Sequence, residues 1–448
     1  MGGSNEAPHD IESPCTPLLT SMSKELHGLL SLSASMSQEL DDLLPLSNSC
    51  CIYRVPEELR RVNEKAYTPQ VVSIGPLHHG KEGLEDMEEH KKRYLQYFLD
   101  RTGVSLEVCV EKIKDKEAKL RGCYAHTIGL CSDEFVRIIL VDAAFIIELL
   151  LRNYSPFLPD SEDRIFNKPW LIKFIVPDML LLENQLPFFI LEDLFATAEV
   201  SEVPATELSV LDLFYKFCRE STNFYMGKGN WERPSFKVEH FVDLVRTLHL
   251  PTPEENFKNR GSVETLAVPS MTKLRQAGVK FKARSSKNLF DICFKDGILE
   301  IPNLNIYDGT ELVLRNLIAF EQCHCIPTTY YFSDYSLLMD YFVNTPNDVE
   351  LLVKNGIVEH LLGDNTEVST LINSLGKGVF VHRDKFYYAT LTKGLNKYYN
   401  KRWNKWKADL KQKYFNSPWT TISVIAATLI IILTFIQTVC SFSQCAQR

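Results

Sequence analysis

Apolar positions recur at helical spacing through most of the chain, and the breaks between those runs carry proline and glycine. In LEDMEEHKKRYLQYFLDR (84–101), Leu84, Met87, Lys91, Tyr94 and Phe98 fall along one side, which predicts a surface helix. DEFVRIILVDAAFIIELLLRN (133–153) is apolar nearly all round but carries Arg137, Asp142 and Glu148. Such a run predicts a central buried helix rather than a membrane span. DMLLLENQLPFFILEDLF (178–195) is similar and is broken at Pro187. Its polar trio Glu183-Asn184-Gln185 is costly inside a protein unless hydrogen-bonded, so it is expected to bond neighbouring backbone where the helix breaks. Residues 221–235 and 251–270 read as polar loops.

The period changes at GVKFKA (278–283), LFDICF (289–294) and GILEIPNLNI (297–306), which alternate and favour β-branched residues. Lys295-Asp296-Gly297 between the last two signals a hairpin turn. Helical spacing then returns in TELVLRNLIAFEQC, YSLLMDYFVNT, NDVELLVKNGIVEHLL and TEVSTLINSL. Helices, a short β patch, then helices exclude a regular βαβ alternation. The fold class expected is mainly α: a large helical globular domain with a small antiparallel β-sheet, plus a C-terminal transmembrane helix.

The two ends differ from this body. SMSKELHGLLSLSA (21–34) is followed at once by SMSQELDDLLPLSN (35–48), a tandem repeat with leucines on one helical face. It suits either a lead-in helix docked on the body or a partner-binding helix on a mobile arm. Residues 1–45 are expected to be a disordered arm holding this repeat, and no apolar leader precedes it. At the other end, Trp419 to Phe442 contains no charge. Some 22 residues at 1.5 Å each span roughly 33 Å, enough for a bilayer core. Trp419 sits where an interfacial aromatic belongs, and Ile431 and Phe435 lie within the expected anchor. The preceding stretch carries Lys393, Lys397, Lys401, Arg402, Lys405, Lys407, Lys411 and Lys413 against Asp409 alone. The organisation expected is a helical body over 46–392, a basic juxtamembrane helix over 393–415, a membrane helix over 418–442 and a tail over 443–448. The basic block places the body in the cytosol, with the chain held in its membrane as a tail-anchored, single-pass protein.

Composition narrows the function. The 448 residues are 45% hydrophobic and 24% charged, as in globular proteins. A net charge of -8 argues against nucleic acid as a partner of the whole chain. The basic, aromatic stem could in principle bind single strands, but attraction to anionic lipid explains it with less. Twelve cysteines with no CxxC pair read as reduced thiols in a cytosolic compartment. The sequon at Asn153 is weakened by Pro156.

CCIYRVPEELRRVNEKAYTPQVVSIGPLHHG, LLLENQLPFFILEDLF, LRQAGVKFKARSSKNLFDICFKDGILEIPNLNI, TELVLRNLIAFEQC and YFNSPWTTISVIAATLIIILTFIQT together resemble the plant family known as domain of unknown function 247. The resemblance covers about residues 49–440. It departs at Leu77, where the family usually has an aromatic, and at Asp142-Ala143-Ala144-Phe145, where it usually has Asp-Gly-Cys-Phe. It implies a membrane-associated plant protein with a mainly helical body. Some grass members are associated with self-incompatibility as candidate pollen-side recognition components.

Candidate chemistry is sparse. Phosphate-binding, nucleotide-binding, nucleophile-elbow, zinc-protease and kinase motifs do not occur, and no cofactor is expected. Cys323-His324-Cys325 lacks the doubled spacing of zinc sites and reads as a small buried plug. The remaining candidate is the loop Gly75, Pro76, His78 and His79 in VSIGPLHHG. A Gly-Pro turn leaves backbone groups unpaired, and imidazoles can tie such a loop down. The same pair could contact a partner, or serve catalysis beside a carboxylate. The acidic run Glu82, Glu85, Asp86, Glu88 and Glu89 reads as a solvated first turn of the next helix. The expected function is a membrane-anchored, non-enzymatic interaction or recognition component with an unknown protein partner. The alternative is an enzyme of unfamiliar type built on His78 and His79.

Overall fold

The computed structural model describes residues 31–33, 35–37, 50–155, 158, 163–196, 209–221, 237–251, 260–286, 288–401 and 418–445. The chain divides into Met1–Cys50 and Cys51–Arg448. In the first unit residues 31–33 and 35–37 are helical; the rest of the expected repeat lies outside the described residues. So do most of the stem, residues 222–235 of the first polar loop and residues 252–259 of the second.

The second unit is mainly helical. Its centre is the helix Ser132–Tyr154, in which all but one of the residues from Phe135 to Arg152 are buried. The exception is Arg137, which is exposed. An all-round apolar surface demands neighbours on every side. They are the helices Glu85–Thr102, Leu106–Lys114, Phe188–Phe195 and Val210–Ser221. The expected face of Glu85–Thr102 is the buried one: Met87, Lys91, Tyr94 and Phe98 point inward, and Gly103 ends the helix in the left-handed region. The buried charges near the C-terminal end of the central helix are matched. Glu148 accepts from Arg101 (2.8 Å) and Arg152 (2.7 Å), and Arg152 reaches Asp163 at 2.5 Å.

The helices Thr310–His324, Tyr331–Phe342, Pro346–Lys354 and Asn365–Leu375 form the other helical group. Glu321, wholly buried, accepts the first amides of the helix Tyr331–Phe342: Tyr331 at 2.9 Å, Phe332 at 3.1 Å and Ser333 at 2.8 Å. A carboxylate at a helix start meets orphan N–H groups and the positive end of the dipole together.

The β patch is mixed, not antiparallel as expected. β1 (Lys280–Arg284), β2 (Cys293–Lys295) and β3 (Ile298–Pro302) form a sheet in the order β1-β3-β2. β2 and β3 are the expected hairpin, with Lys295 opposite Ile298. Asp296 (φ 51°) and Gly297 (φ 78°) both adopt the positive φ that its two-residue turn requires. β1 lies parallel to β3 because the chain crosses over through residues 285–292 before the hairpin begins. β4 (Leu304–Ile306) leaves this sheet and pairs in parallel with β5 (Val358–His360). Alternation in a sequence marks strands but not their partners.

The helix Ala389–Tyr399 holds the first residues of the basic stem and buries Leu395. The C-terminal segment is the helix Pro418–Cys445, on which Ile431 and Phe435 are each 69% exposed. Trp419's side chain lies outside the described residues. Among the described residues no helix is long and apolar enough to cross a membrane. The expected transmembrane helix is therefore not supported by the structure.

Candidate functional site

The segment from Cys51 to Gly83 contains little regular structure beyond two short turns, Glu57–Arg60 and Glu64–Tyr67. Its backbone groups still need partners, and side chains from the central helix and from residues 178–185 supply them. Asp178 accepts from the amides of Gln70 (3.0 Å), Val71 (2.7 Å) and Val72 (2.9 Å). Asn184 accepts from Ile74 N at 2.7 Å and donates to Val72 O at 2.9 Å. Asp142 accepts from Gly75 N at 2.7 Å, and Lys91 bridges Asp142 (2.6 Å) to Ser73 O (2.8 Å). Burial pushes the Asp142 carboxyl above its ordinary value, and Lys91 pulls against that shift. Asp178 is also raised by burial, with the three amides opposing.

The loop itself turns at Gly75, with φ of 72°. A Cβ there would stand 2.7 Å from Gln185 O and 3.0 Å from the Tyr124 hydroxyl, so the position admits only glycine without movement. His78 then turns inward: Nε2 lies 3.2 Å from Glu183 Oε2, although the pair is not aligned as a hydrogen bond. Glu183 is wholly buried and also takes Val55 N (2.6 Å) and the Arg60 guanidinium on its other oxygen. Burial alone would raise its carboxyl. His78, the Val55 amide and Arg60 outweigh that and hold it below its ordinary value. His79 is half-buried and its Nδ1 has no hydrogen-bond partner among the described residues. Beyond it, Gly80 to Gly83 are exposed, as are Glu85 and Asp86. Gly75, Pro76 and His78 thus sit on a rigid floor, and the acidic residues form an exposed rim.

The trio Glu183-Asn184-Gln185 does bond backbone at a helix break. Gln185 donates to Met179 O (2.7 Å) and Leu181 O (2.8 Å), while Glu183 and Asn184 reach more than a hundred residues back along the chain. Sequence reasoning missed Asp178, Arg60 and His240. Asp178 and Arg60 look like ordinary surface residues in the sequence. His240 is buried at a helix start; it accepts from Asp243 N (3.2 Å) and its Nε2 lies 3.0 Å from Cys51 O. Burial lowers it to about 4, so it is neutral.

The other candidates lie apart. His324 contacts the Tyr53 hydroxyl at 3.0 Å and stacks on Phe320, and burial raises the Cys325 thiol to about 11. No group of three or more metal-capable side chains occurs among the described residues. A surface cavity of about 250 Å³ opens between the β2–β3 turn and the end of the helix Ala389–Tyr399, lined by Lys295, Lys397, Tyr398 and Lys401 among others. The histidine loop does not line it.

Fold and site define a mainly helical body in which a buried polar clamp presents a rigid loop. The chain belongs to the DUF247 family, described as plant protein of unknown function, whose match covers residues 52–433. It is 34% identical to a UPF0481 protein of Arabidopsis thaliana over 415 residues, covering 87% of this chain and 85% of that one. A putative UPF0481 protein of the same plant is 23% identical over 478 aligned positions, covering 86% and 89%. No solved structure matches the chain.

Proposed function

We propose that this chain is a membrane-anchored interaction component, without catalysis of its own, that works in recognition or signalling through its helical body. The observation that carries the reading is the uncharged stretch from Trp419 to Phe442 behind a block of eight basic residues. Such a block resists transfer across a bilayer and is drawn to anionic lipid. The body then faces the cytosol. The loop supports the interaction half of the reading. Its floor is locked by buried side chains, so its exposed rim meets a partner with little ordering still to be done.

A protease-protection assay on sealed microsomes tests the anchor. Protease on the cytosolic side should remove an N-terminal tag, and carbonate washing should leave the chain in the membrane. Release by carbonate, protection of the tag, or glycosylation at Asn153 would refute the reading.

One observation favours the second reading, an enzyme using His78: a carboxylate oxygen stands 3.2 Å from its Nε2. That carboxylate belongs to Glu183, which is wholly buried and whose other oxygen is taken by Val55 N and Arg60. A group so committed orients a side chain better than it exchanges protons with a substrate.

A further inference from the structure

Two buried thiols meet where the body begins. Ile52 and Tyr124 are partners in an isolated parallel bridge. Cys123 O accepts from both Cys51 N (3.0 Å) and Ile52 N (2.9 Å), and Ile52 O accepts from Ala125 N (2.9 Å). Cys51 and Cys123 are therefore the adjoining pair in the same register, on the same face. Strands so paired lie about 4.8 Å apart, within the Cα separation that a disulfide spans without backbone movement. Neither residue is in a disulfide, and they are 1% and 2% exposed. The Cys123 thiol donates to Lys119 O at 3.3 Å.

We infer that Cys51 and Cys123 form a buried oxidation site, closed to a disulfide by a small peroxide and reopened by a thiol reductant. Cys51 lowers the Cys123 thiol below its ordinary value against the opposing effect of burial, and Lys119 and Lys237 add to the lowering. One thiolate of the pair attacks one oxygen of hydrogen peroxide, the O–O bond breaks, and the hydroxide released takes up a proton. The other sulfur then attacks the sulfenic acid so formed. The S–S bond forms, the S–O bond breaks, and the hydroxyl leaves with that sulfur's proton as water. Two thiols are oxidised by two electrons and one peroxide becomes two waters. Once closed, the bond ties the first residue of the unit Cys51–Arg448 to the strand that runs on to Tyr124. Tyr124 is the residue whose hydroxyl bonds Gln185 O beneath the Gly75 turn.

The test uses the purified full chain in mild detergent. It is treated with one to a few equivalents of hydrogen peroxide, quenched in acid, alkylated and mapped by non-reducing peptide mass spectrometry. The expected result is a linked pair joining the peptides of Cys51 and Cys123, reversed by dithiothreitol, with the oxidised chain melting several degrees higher. Cys50→Ser should keep the link. Cys51→Ser should lose it and leave a sulfenic acid on Cys123 that a dimedone probe labels. A link that depends on Cys50 instead overturns the assignment. So does oxidation of the exposed Cys131 while Cys51 and Cys123 stay alkylatable. If Cys51→Ser does not fold, the peptide map of the unmutated chain and of Cys50→Ser still decides.

Discussion

Removing the His78 imidazole exposes what Glu183 needs. In His78→Ala, Glu183 Oε2 loses the imidazole 3.2 Å away, while its other oxygen keeps Val55 N and Arg60. Stranding one partner of a buried polar contact costs about 1–3 kcal/mol. The contact is misaligned, so the lower half of that range is expected, about 1–2 kcal/mol. Glu183→Gln is more severe. It keeps an acceptor for Val55 N but leaves the Arg60 guanidinium without its counter-charge and sets an amide against His78 or Arg60. Breaking a fully buried pair costs about 3–5 kcal/mol, and Arg60, 19% exposed, keeps some water, so about 3 kcal/mol is expected. The two changes remove the same contact, so the double variant should be less destabilised than the sum by about 1 kcal/mol. His79→Ala is the control. Its Nδ1 bonds nothing among the described residues, so its loss should stay within about 0.5 kcal/mol. Urea unfolding of the full chain in detergent, followed by tryptophan fluorescence, measures all four variants. Strict additivity, or His79→Ala costing more than His78→Ala, would refute the clamp.

Gly75→Ala should destabilise by more than 2 kcal/mol and shift the melting midpoint in calorimetry, because φ of 72° and a backbone oxygen 2.7 Å from the new Cβ act together; a neutral result would mean the turn relaxes freely. The pH dependence has a definite sign. His240 titrates near 6.5 in the unfolded chain and at about 4 in the folded one, because burial disfavours its cation. The unfolded chain binds the extra proton between those values, so stability is fully present above pH 6.5 and is lost as pH falls toward 4. The loss attributable to His240 is about 3 kcal/mol. Urea midpoints of the unmutated chain and His240→Asn, compared from pH 7 to 4.5, should converge as the pH falls; parallel curves would show that His240 is not held neutral.

Much of the fold is legible in the sequence because helices declare themselves locally. The buried side of 84–101 and the apolar run around Asp142 are periodic over a dozen or more residues, and each lies where its period places it, whereas the helix expected over 178–195 begins only at Phe188 and residues 179–187 are irregular. The sheet is less legible, since nothing in GVKFKA says that β3 will lie beside it in parallel. The site is legible only in part. Glycine before proline marks a turn, and a polar trio in an apolar run marks buried hydrogen bonds. The identity of the partners is not local: Asp178 and Asn184 are joined to residues 70–74 across more than a hundred positions. A lysine on an inward face, Lys91, and an acid in an apolar helix, Asp142, were each visible, but the ion pair between them was not.

The side-chain ligation of residues 55–75 also sets an order of events. Val55, Gln70 to Val72, Ile74 and Gly75 hand their amides to residues 67 to 128 positions further along. Contacts of such separation form late, after the loops between them have closed. During synthesis this segment leaves the ribosome well before Asp142, Asp178 or Glu183 exists to receive it. The part of the body made first is therefore secured last, and its unpaired amides are an exposed edge that a chaperone or a neighbouring nascent chain can meet in the interval.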